Sequence, residues 1–112
     1  MKLSNQFRNI IKKEITKLEN GTFLIKIHGD SMINANINDG DTVLVKESKE
    51  FVSGEIVLAY KNRKAMIKRF ISDDKPPFVY LRPENPKYEN IVFTEDVRLK
   101  GKVISVLKNN YS

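Results

Sequence analysis

Residues 22–32 read Thr-Phe-Leu-Ile-Lys-Ile-His-Gly-Asp-Ser-Met, and this stretch organises the fold. Apolar side chains at every second position over residues 22–28 predict a strand with one apolar face. Glycine and aspartate then predict a tight turn, which places Ser31 at the end of that strand. A second turn, residues 39–41 (Asp-Gly-Asp), precedes the next apolar run. The chain therefore presents a serine hydroxyl on a turn between two predicted strands.

Short strands separated by turns continue through the rest of the chain. They are predicted over residues 42–46, 55–60, 65–72, 78–82, 91–93 and 101–107. Residues 61–64 predict a hairpin loop, and the prolines after residues 75 and 82 predict turns because proline cannot donate to a strand ladder. About seven short strands with regular turns predict a compact, mostly-β domain, either barrel-like or a sandwich.

The first twenty residues carry a different pattern. Their apolar side chains recur at helical spacing: Leu3, Phe7, Ile10, Ile11, Ile15 and Leu18. Asn20 and Gly21 tolerate the left-handed conformation that ends helices. The sequence thus predicts an N-terminal amphipathic helix over residues 1–20 and a β domain over residues 21–112. One helix is too little for a helix-turn-helix, so we expect it to pack on the sheet and the chain not to bind duplex DNA specifically.

Composition excludes several classes of site. At 112 residues without cysteine, the chain is one domain with neither disulfides nor thiolate metal sites, and its single histidine excludes a zinc site built from several imidazoles. The turn at 39–41 lacks the spaced ligands of an EF-hand. We therefore expect neither metal nor cofactor. No apolar run approaches the roughly 20 residues that span a bilayer, and no secretory signal is evident, which predicts a cytoplasmic protein without membrane contact.

The net charge of +6 raises the possibility of nucleic-acid binding. Lysines are spread along the chain, however, and the densest group (Lys61, Arg63, Lys64) falls on the predicted hairpin tip, which favours a solvated surface. A basic nucleic-acid-binding β-barrel is the third interpretation, and it predicts stacking aromatics interleaved with basic residues. The aromatic side chains instead fall mainly at predicted core or turn positions.

Lys68 is the candidate partner of Ser31, 37 positions later in the chain. Strand alternation places it between Met66 and Phe70 on one face. If that face is buried, desolvation lowers the pKa of the amine, and a neutral amine can accept a hydroxyl proton. The adjacent Arg69 cannot do so, because guanidinium stays charged. The alternative is a lysine whose stem lies on the sheet while its head reaches water.

The turn at Ser31 has two interpretations. It can expose the hydroxyl and direct the backbone amides of Ser31 and Met32 at a developing oxyanion, or the serine can simply cap the turn. His28, three positions earlier, is a rival base, since Ser–His pairs are the commoner chemistry. A third residue to orient it is not evident; the acids near it in sequence are Asp30, Asp39 and Asp41.

Six short motifs occur in order along the chain. They are residues 29–32 (Gly-Asp-Ser-Met), 38–41 (Asn-Asp-Gly-Asp), 54–57 (Gly-Glu-Ile-Val), 67–70 (Ile-Lys-Arg-Phe), 81–86 (Leu-Arg-Pro-Glu-Asn-Pro) and 101–104 (Gly-Lys-Val-Ile). Together they resemble the C-terminal domain of the LexA, UmuD and phage-repressor family of self-cleaving serine peptidases, the S24 peptidases. The resemblance covers about residues 21–107.

That resemblance implies the family's compact β fold, a nucleophile at Ser31 and a general base at Lys68. It also implies a homodimer formed through this domain, with the last predicted strand as the pairing region. Members of the family cleave their own chain at an Ala-Gly or Cys-Gly bond when a RecA–single-stranded DNA filament stabilises the reactive conformation. The expected context is therefore the SOS or prophage response.

The sequence departs from the family pattern in its first thirty residues. It contains no Ala-Gly or Cys-Gly dipeptide, has little chain before Ser31 for a cleavage loop, and shows no DNA-binding domain. A processed product, a truncated chain and a naturally short UmuD-like protein each fit this pattern. The alternative function is a binding module that keeps the fold for dimerisation or contact with a translesion polymerase, with an idle Ser–Lys pair.

Overall fold

The computed structural model describes residues 15–109. These residues form one antiparallel sheet of eight strands, ordered β1-β2-β3-β8-β4-β5-β6-β7, with a short 3₁₀ turn at Ile33–Ala35. The strands are β1 Ile15–Lys17, β2 Thr22–Lys26, β3 Thr42–Glu47, β4 Ile56–Lys61, β5 Lys64–Ser72, β6 Val79–Arg82, β7 Ile91–Val92 and β8 Val97–Leu107. The prediction of a mostly-β domain is confirmed.

The prediction of a barrel-like or sandwich domain is refined by the structure, which shows one sheet that is not closed. Across the described residues, the edge strands β1 and β7 each pair on one side only and not with each other. They contain three and two residues.

The predicted N-terminal helix is wrong where the structure tests it. Residues 1–14 lie outside the described residues, but Ile15–Lys17 is a strand that pairs with β2, Ile15 opposite Ile25. Asn20 and Gly21 have φ of 62° and 69° and close the β1–β2 hairpin instead of ending a helix. Consecutive left-handed residues with Asn-Gly sequence favour a hairpin turn whose twist matches the strands, so the helix-end signal is equally a hairpin signal.

Apolar side chains pack on both faces of the central strands. In β4, Leu58 belongs to one buried cluster while its neighbours Val57 and Ala59 belong to the other. The first cluster comprises Phe23, Ile25, Ile27, Met32, Ile37, Val43, Val45, Leu58 and Ile67; the second comprises Val57, Ala59, Phe70, Leu81 and Val97. The continuous apolar run of β4 therefore reflects a strand buried on both sides.

The long strand β8 is bent by two interruptions of its register. Its pairing shifts opposite Leu44/Val45 of β3 and opposite Leu58/Ala59 of β4, and extra residues of this kind bend a strand and increase its twist. Gly101 lies between the two, where a Cβ would stand 2.5 Å from the carbonyl oxygen of Lys46. Only glycine allows the close approach of β3 to β8 at this position.

Curling of the sheet is what forms the site. Strands β2 and β5 are separated by β3, β8 and β4 in the sheet order, which in a flat sheet places them roughly 19 Å apart at the usual spacing between strands. Nevertheless, the side chain of Ser31, just after β2, contacts the side chain of Lys68 on β5. The sheet therefore curls until the turn after β2 reaches β5.

Candidate active site

Ser31 lies on a turn that is braced by the neighbouring Asp-Gly-Asp turn. Gly29 adopts φ of 84°, and its N–H donates to Asp39 Oδ1 at 2.7 Å. Backbone hydrogen bonds continue beyond the end of β2. Ile27 N–H donates to the carbonyl of Asp41 at 2.8 Å, and Gly40 N–H donates to the carbonyl of Ile27 at 2.9 Å. The prediction that residues 39–41 form a turn is confirmed.

Asp41 anchors this turn from inside the protein. Its side chain is buried, and its carboxylate accepts hydrogen bonds from Lys108 Nζ, from Asn109 N–H at 2.9 Å and from Asn38 N–H at 2.8 Å. The bond from Lys108, followed by those from the two backbone amides, lowers the pKa of Asp41 to about 2. The charged form is therefore stabilised by folding.

The stability of the protein should depend on the ionisation of Asp41. An unfolded aspartate has a pKa of about 3.9, so this contribution is complete above about pH 5 and is lost as pH falls towards 2. We expect urea midpoints of the wild type to drop between pH 5 and pH 2.5, and Asp41→Asn to be less stable at pH 7 with a smaller drop. The exposed Glu50→Gln serves as control. An equal drop in Asp41→Asn and wild type would contradict this role.

Lys68 lies on β5, half-buried, opposite Val57 of β4. Its Nζ and the Oγ of Ser31 are 2.9 Å apart and joined by a hydrogen bond. Burial lowers the pKa of the Lys68 amine, because desolvation disfavours the ammonium form. The two side chains predicted to act together are thus within proton-transfer distance.

A cleft of about 640 Å³ opens around the two side chains. Its lining includes Ile15, Ile25, Ile27, Tyr60, Ala65, Met66, Ile67 and Ile91 together with Ser31 and Lys68. His28 lines the same cleft but is exposed, whereas Lys68 is the side chain whose amine contacts the serine hydroxyl. Lys26, Arg63 and Lys64 also line the cleft, so its lining combines apolar side chains with cationic ones around the Ser–Lys pair.

Met32 fixes the turn after the serine. Its side chain is only 2% exposed and belongs to the first cluster. Its carbonyl accepts N–H bonds from Ala35 at 3.0 Å and Ile37 at 3.2 Å, which close the 3₁₀ turn. The amides of Ser31 and Met32, predicted to stabilise an oxyanion, therefore belong to a turn that is anchored in the core.

Residues 84–88 hold the turn that carries Ser31 through contacts that the sequence did not predict. Asn85 Nδ2 donates to the carbonyl of Asp30 at 2.9 Å, while Lys87 pairs with the Asp30 carboxylate at 2.7 Å and the Tyr88 hydroxyl donates to it. The bonds from Lys87 and Tyr88 lower the pKa of Asp30. The sequence signalled only a turn here, because asparagine next to proline indicates a turn and nothing about its partner.

The same segment, residues 84–88, also contacts β5, the strand that carries Lys68. Glu84 accepts a hydrogen bond from Arg69 Nε at 2.8 Å, and its carbonyl accepts the N–H of Asn34 at 2.9 Å. Arg69 directly follows Lys68. Residues 84–88 therefore connect the strand that carries the lysine to the turn that carries the serine.

Comparison with known proteins shows the family of this chain. The family model described as Peptidase S24-like matches residues 4–104. The chain belongs to the Peptidase S24-like family. Among its relatives, a LexA repressor of Desulfitobacterium hafniense is 41% identical over 86 residues, which cover 77% of this chain and 41% of the relative. A LexA repressor of Clostridium perfringens is 38% identical over 92 residues, 82% of this chain and 44% of the relative.

This S24 chain spans less than half the length of the LexA repressors it matches. It is a LexA-like peptidase domain, as the family and the relatives support. Over residues 15–109, the structure contains no helix with the length and apolar character to cross a membrane.

Proposed function

We propose that this chain is a serine peptidase domain in which Ser31 is the nucleophile and Lys68 the general base. The observation that carries the proposal is the 2.9 Å contact between Ser31 Oγ and a desolvated Lys68 amine. A serine hydroxyl is a weak nucleophile until a neighbouring base takes its proton, and a neutral amine at this distance meets that need.

The reaction proceeds in two proton-balanced stages. The Lys68 amine accepts the Ser31 hydroxyl proton as Oγ attacks the scissile carbonyl carbon, and the N–H groups of Ser31 and Met32 donate to the resulting oxyanion. The Lys68 ammonium then protonates the departing amine nitrogen, which leaves an ester on Ser31. Water then loses a proton to the regenerated Lys68 amine as it attacks the ester carbonyl, and the Lys68 ammonium returns that proton to Ser31 Oγ as the carboxylic acid is released.

An extended peptide fits the geometry of the cleft. Residues 64–68 of β5 pair with β4, whereas the pairing of β5 with β6 begins only at Arg69, so within the described sheet their second edge is open. Consecutive residues from Lys64 to Lys68 line the cleft, as expected where the cleft borders a strand edge. A substrate strand added there gains backbone hydrogen bonds beside Ser31.

The proposed substrate is a peptide with the family's Ala-Gly or Cys-Gly bond. The 112 residues contain neither dipeptide, so the proposal is tested with a separate peptide. We further propose that a RecA–single-stranded DNA filament stimulates the reaction in an SOS or prophage context.

The test is incubation with a separate peptide that contains an Ala-Gly bond, followed by mass spectrometry of the products. Cleavage at that bond supports the peptidase. A protein that is inert from neutral to strongly alkaline pH favours the binding module that dimerises or contacts a translesion polymerase.

We also propose that the domain forms a homodimer through β8. Ile104 and Leu107 of this strand are 57% and 50% exposed, whereas Val103 and Val106 pack against the first cluster. We expect a dimer mass by light scattering at tens of micromolar, and a monomer for Ile104→Glu because a charge at the contact remains unpaired. A monomeric wild type at that concentration would contradict the proposal.

A further inference from the structure

We propose that Asn85 is a positioning residue that aims the backbone N–H of Ser31 at the oxyanion. This inference rests on the proposed peptidase function and adds a residue outside the Ser–Lys pair. It starts from a contact that neither the family comparison nor the sequence motifs explain: the side chain of Asn85 donates to the Asp30 carbonyl, 55 positions away along the chain.

The Asp30 carbonyl belongs to the same peptide group as the Ser31 N–H. In a planar trans peptide the C=O and N–H bonds point in opposite directions. A donor that holds the carbonyl on one side therefore directs the Ser31 N–H to the other side, away from Asn85. The second bond to that carbonyl, from Ile33 N–H at 3.4 Å, is long, so Asn85 at 2.9 Å is the stronger restraint.

Asn85 is itself held in one orientation. It is 8% exposed, and its Oδ1 accepts the N–H of Lys87 at 3.2 Å. Because an N–H requires the oxygen and a carbonyl requires the NH₂ group, both bonds select the same orientation of the amide. The Tyr88 N–H also donates to the backbone carbonyl of Asn85 at 3.1 Å. The donor that meets Asp30 is thus preorganised.

Orientation of this N–H matters to the transition state more than to the bound substrate. The oxyanion forms only as Oγ attacks, and a misdirected donor forfeits stabilisation at that moment. The expected signature of losing Asn85 is therefore a lower kcat with little change in KM.

The test uses Asn85→Asp, which keeps an acceptor for Lys87 but removes the donor to Asp30. We expect kcat for the Ala-Gly peptide to fall roughly 10- to 100-fold, with KM within about twofold of wild type. Asn85→Ala is a second variant should the added charge impair folding, which melting curves will report. Asn90→Ala, an exposed asparagine of the following segment, is the matched control and should keep wild-type kcat.

A second readout is independent of activity. Residual dipolar couplings report the direction of each N–H bond. In the Asn85 variants, the Ser31 coupling should deviate from the value calculated from the wild-type structure, whereas the couplings of the other residues should agree with it. Unchanged kcat, or a lower kcat with an unchanged Ser31 coupling, would overturn the proposal. If the wild type does not cleave the peptide, the peptidase function fails, and the Ser31 coupling alone decides the role of Asn85.

Discussion

Lys68→Arg is expected to abolish cleavage of an Ala-Gly peptide, with a loss of roughly 10⁴-fold or more in kcat, the scale seen when a nucleophile–base unit is broken. Arginine keeps the positive charge and much of the length of lysine, but guanidinium does not release its proton at accessible pH. It therefore cannot accept the Ser31 hydroxyl proton, even where it still contacts Oγ. Cleavage rates followed by chromatography measure the loss.

Matched variants separate a lysine base from the alternatives. Ser31→Ala removes the attacking oxygen and should be as inactive as Lys68→Arg, and combining the two should add little, because the residues act as one unit. His28→Ala should keep most of the activity, since the amine that contacts Oγ belongs to Lys68. An active Lys68→Arg with an inactive His28→Ala would show that histidine is the base and that the assignment is wrong.

The second prediction with a large expected effect is the pH dependence of kcat for peptide cleavage. Only the neutral amine of Lys68 can accept a proton, so kcat should rise about tenfold per pH unit below the pKa of that amine. Burial lowers this pKa, which predicts a plateau that begins below the value of about 10.4 typical of an exposed lysine. Rates with the separate peptide between pH 6 and pH 10.5 define the curve.

The shape of the curve also discriminates between bases. A plateau already reached near pH 7, with a midpoint that disappears in His28→Ala, would indicate a histidine and contradict the lysine mechanism. The His28→Ala variant should instead reproduce the wild-type midpoint.

Most of the strands were predictable because their signals are local. The alternation at Phe23, Ile25 and Ile27 and the turn at 39–41 each depend on neighbours within a few positions, and both appear in the structure. The missed strand Ile15–Lys17 shows the limit of this reasoning, since three residues carry too little periodicity to separate a strand from a helix end. Pairing with β2 decided its conformation.

The sequence indicated which two residues form the Ser31–Lys68 contact, but it did not indicate the distance between them. The residue types and the family resemblance indicated the pair, whereas the separation of 2.9 Å depends on three intervening strands and on the curl of the sheet. The hydrogen bond from Asn85 to the Asp30 carbonyl was not predictable, because a side-chain amide can donate to any carbonyl that the fold brings near it.

The amino-acid sequence by itself determined most of the extended segments and turns after Gly21, and it holds a serine on a turn and a lysine on a predicted strand. Those properties follow from side-chain periodicity and from the conformational preferences of glycine, proline and asparagine over short distances. Only the tertiary structure decided that the sheet stays open, that the Lys68 amine is desolvated against Ser31, and that residues 84–88 hold the serine turn. Desolvation and hydrogen-bond direction depend on distant parts of the chain packing together, and no local pattern encodes them.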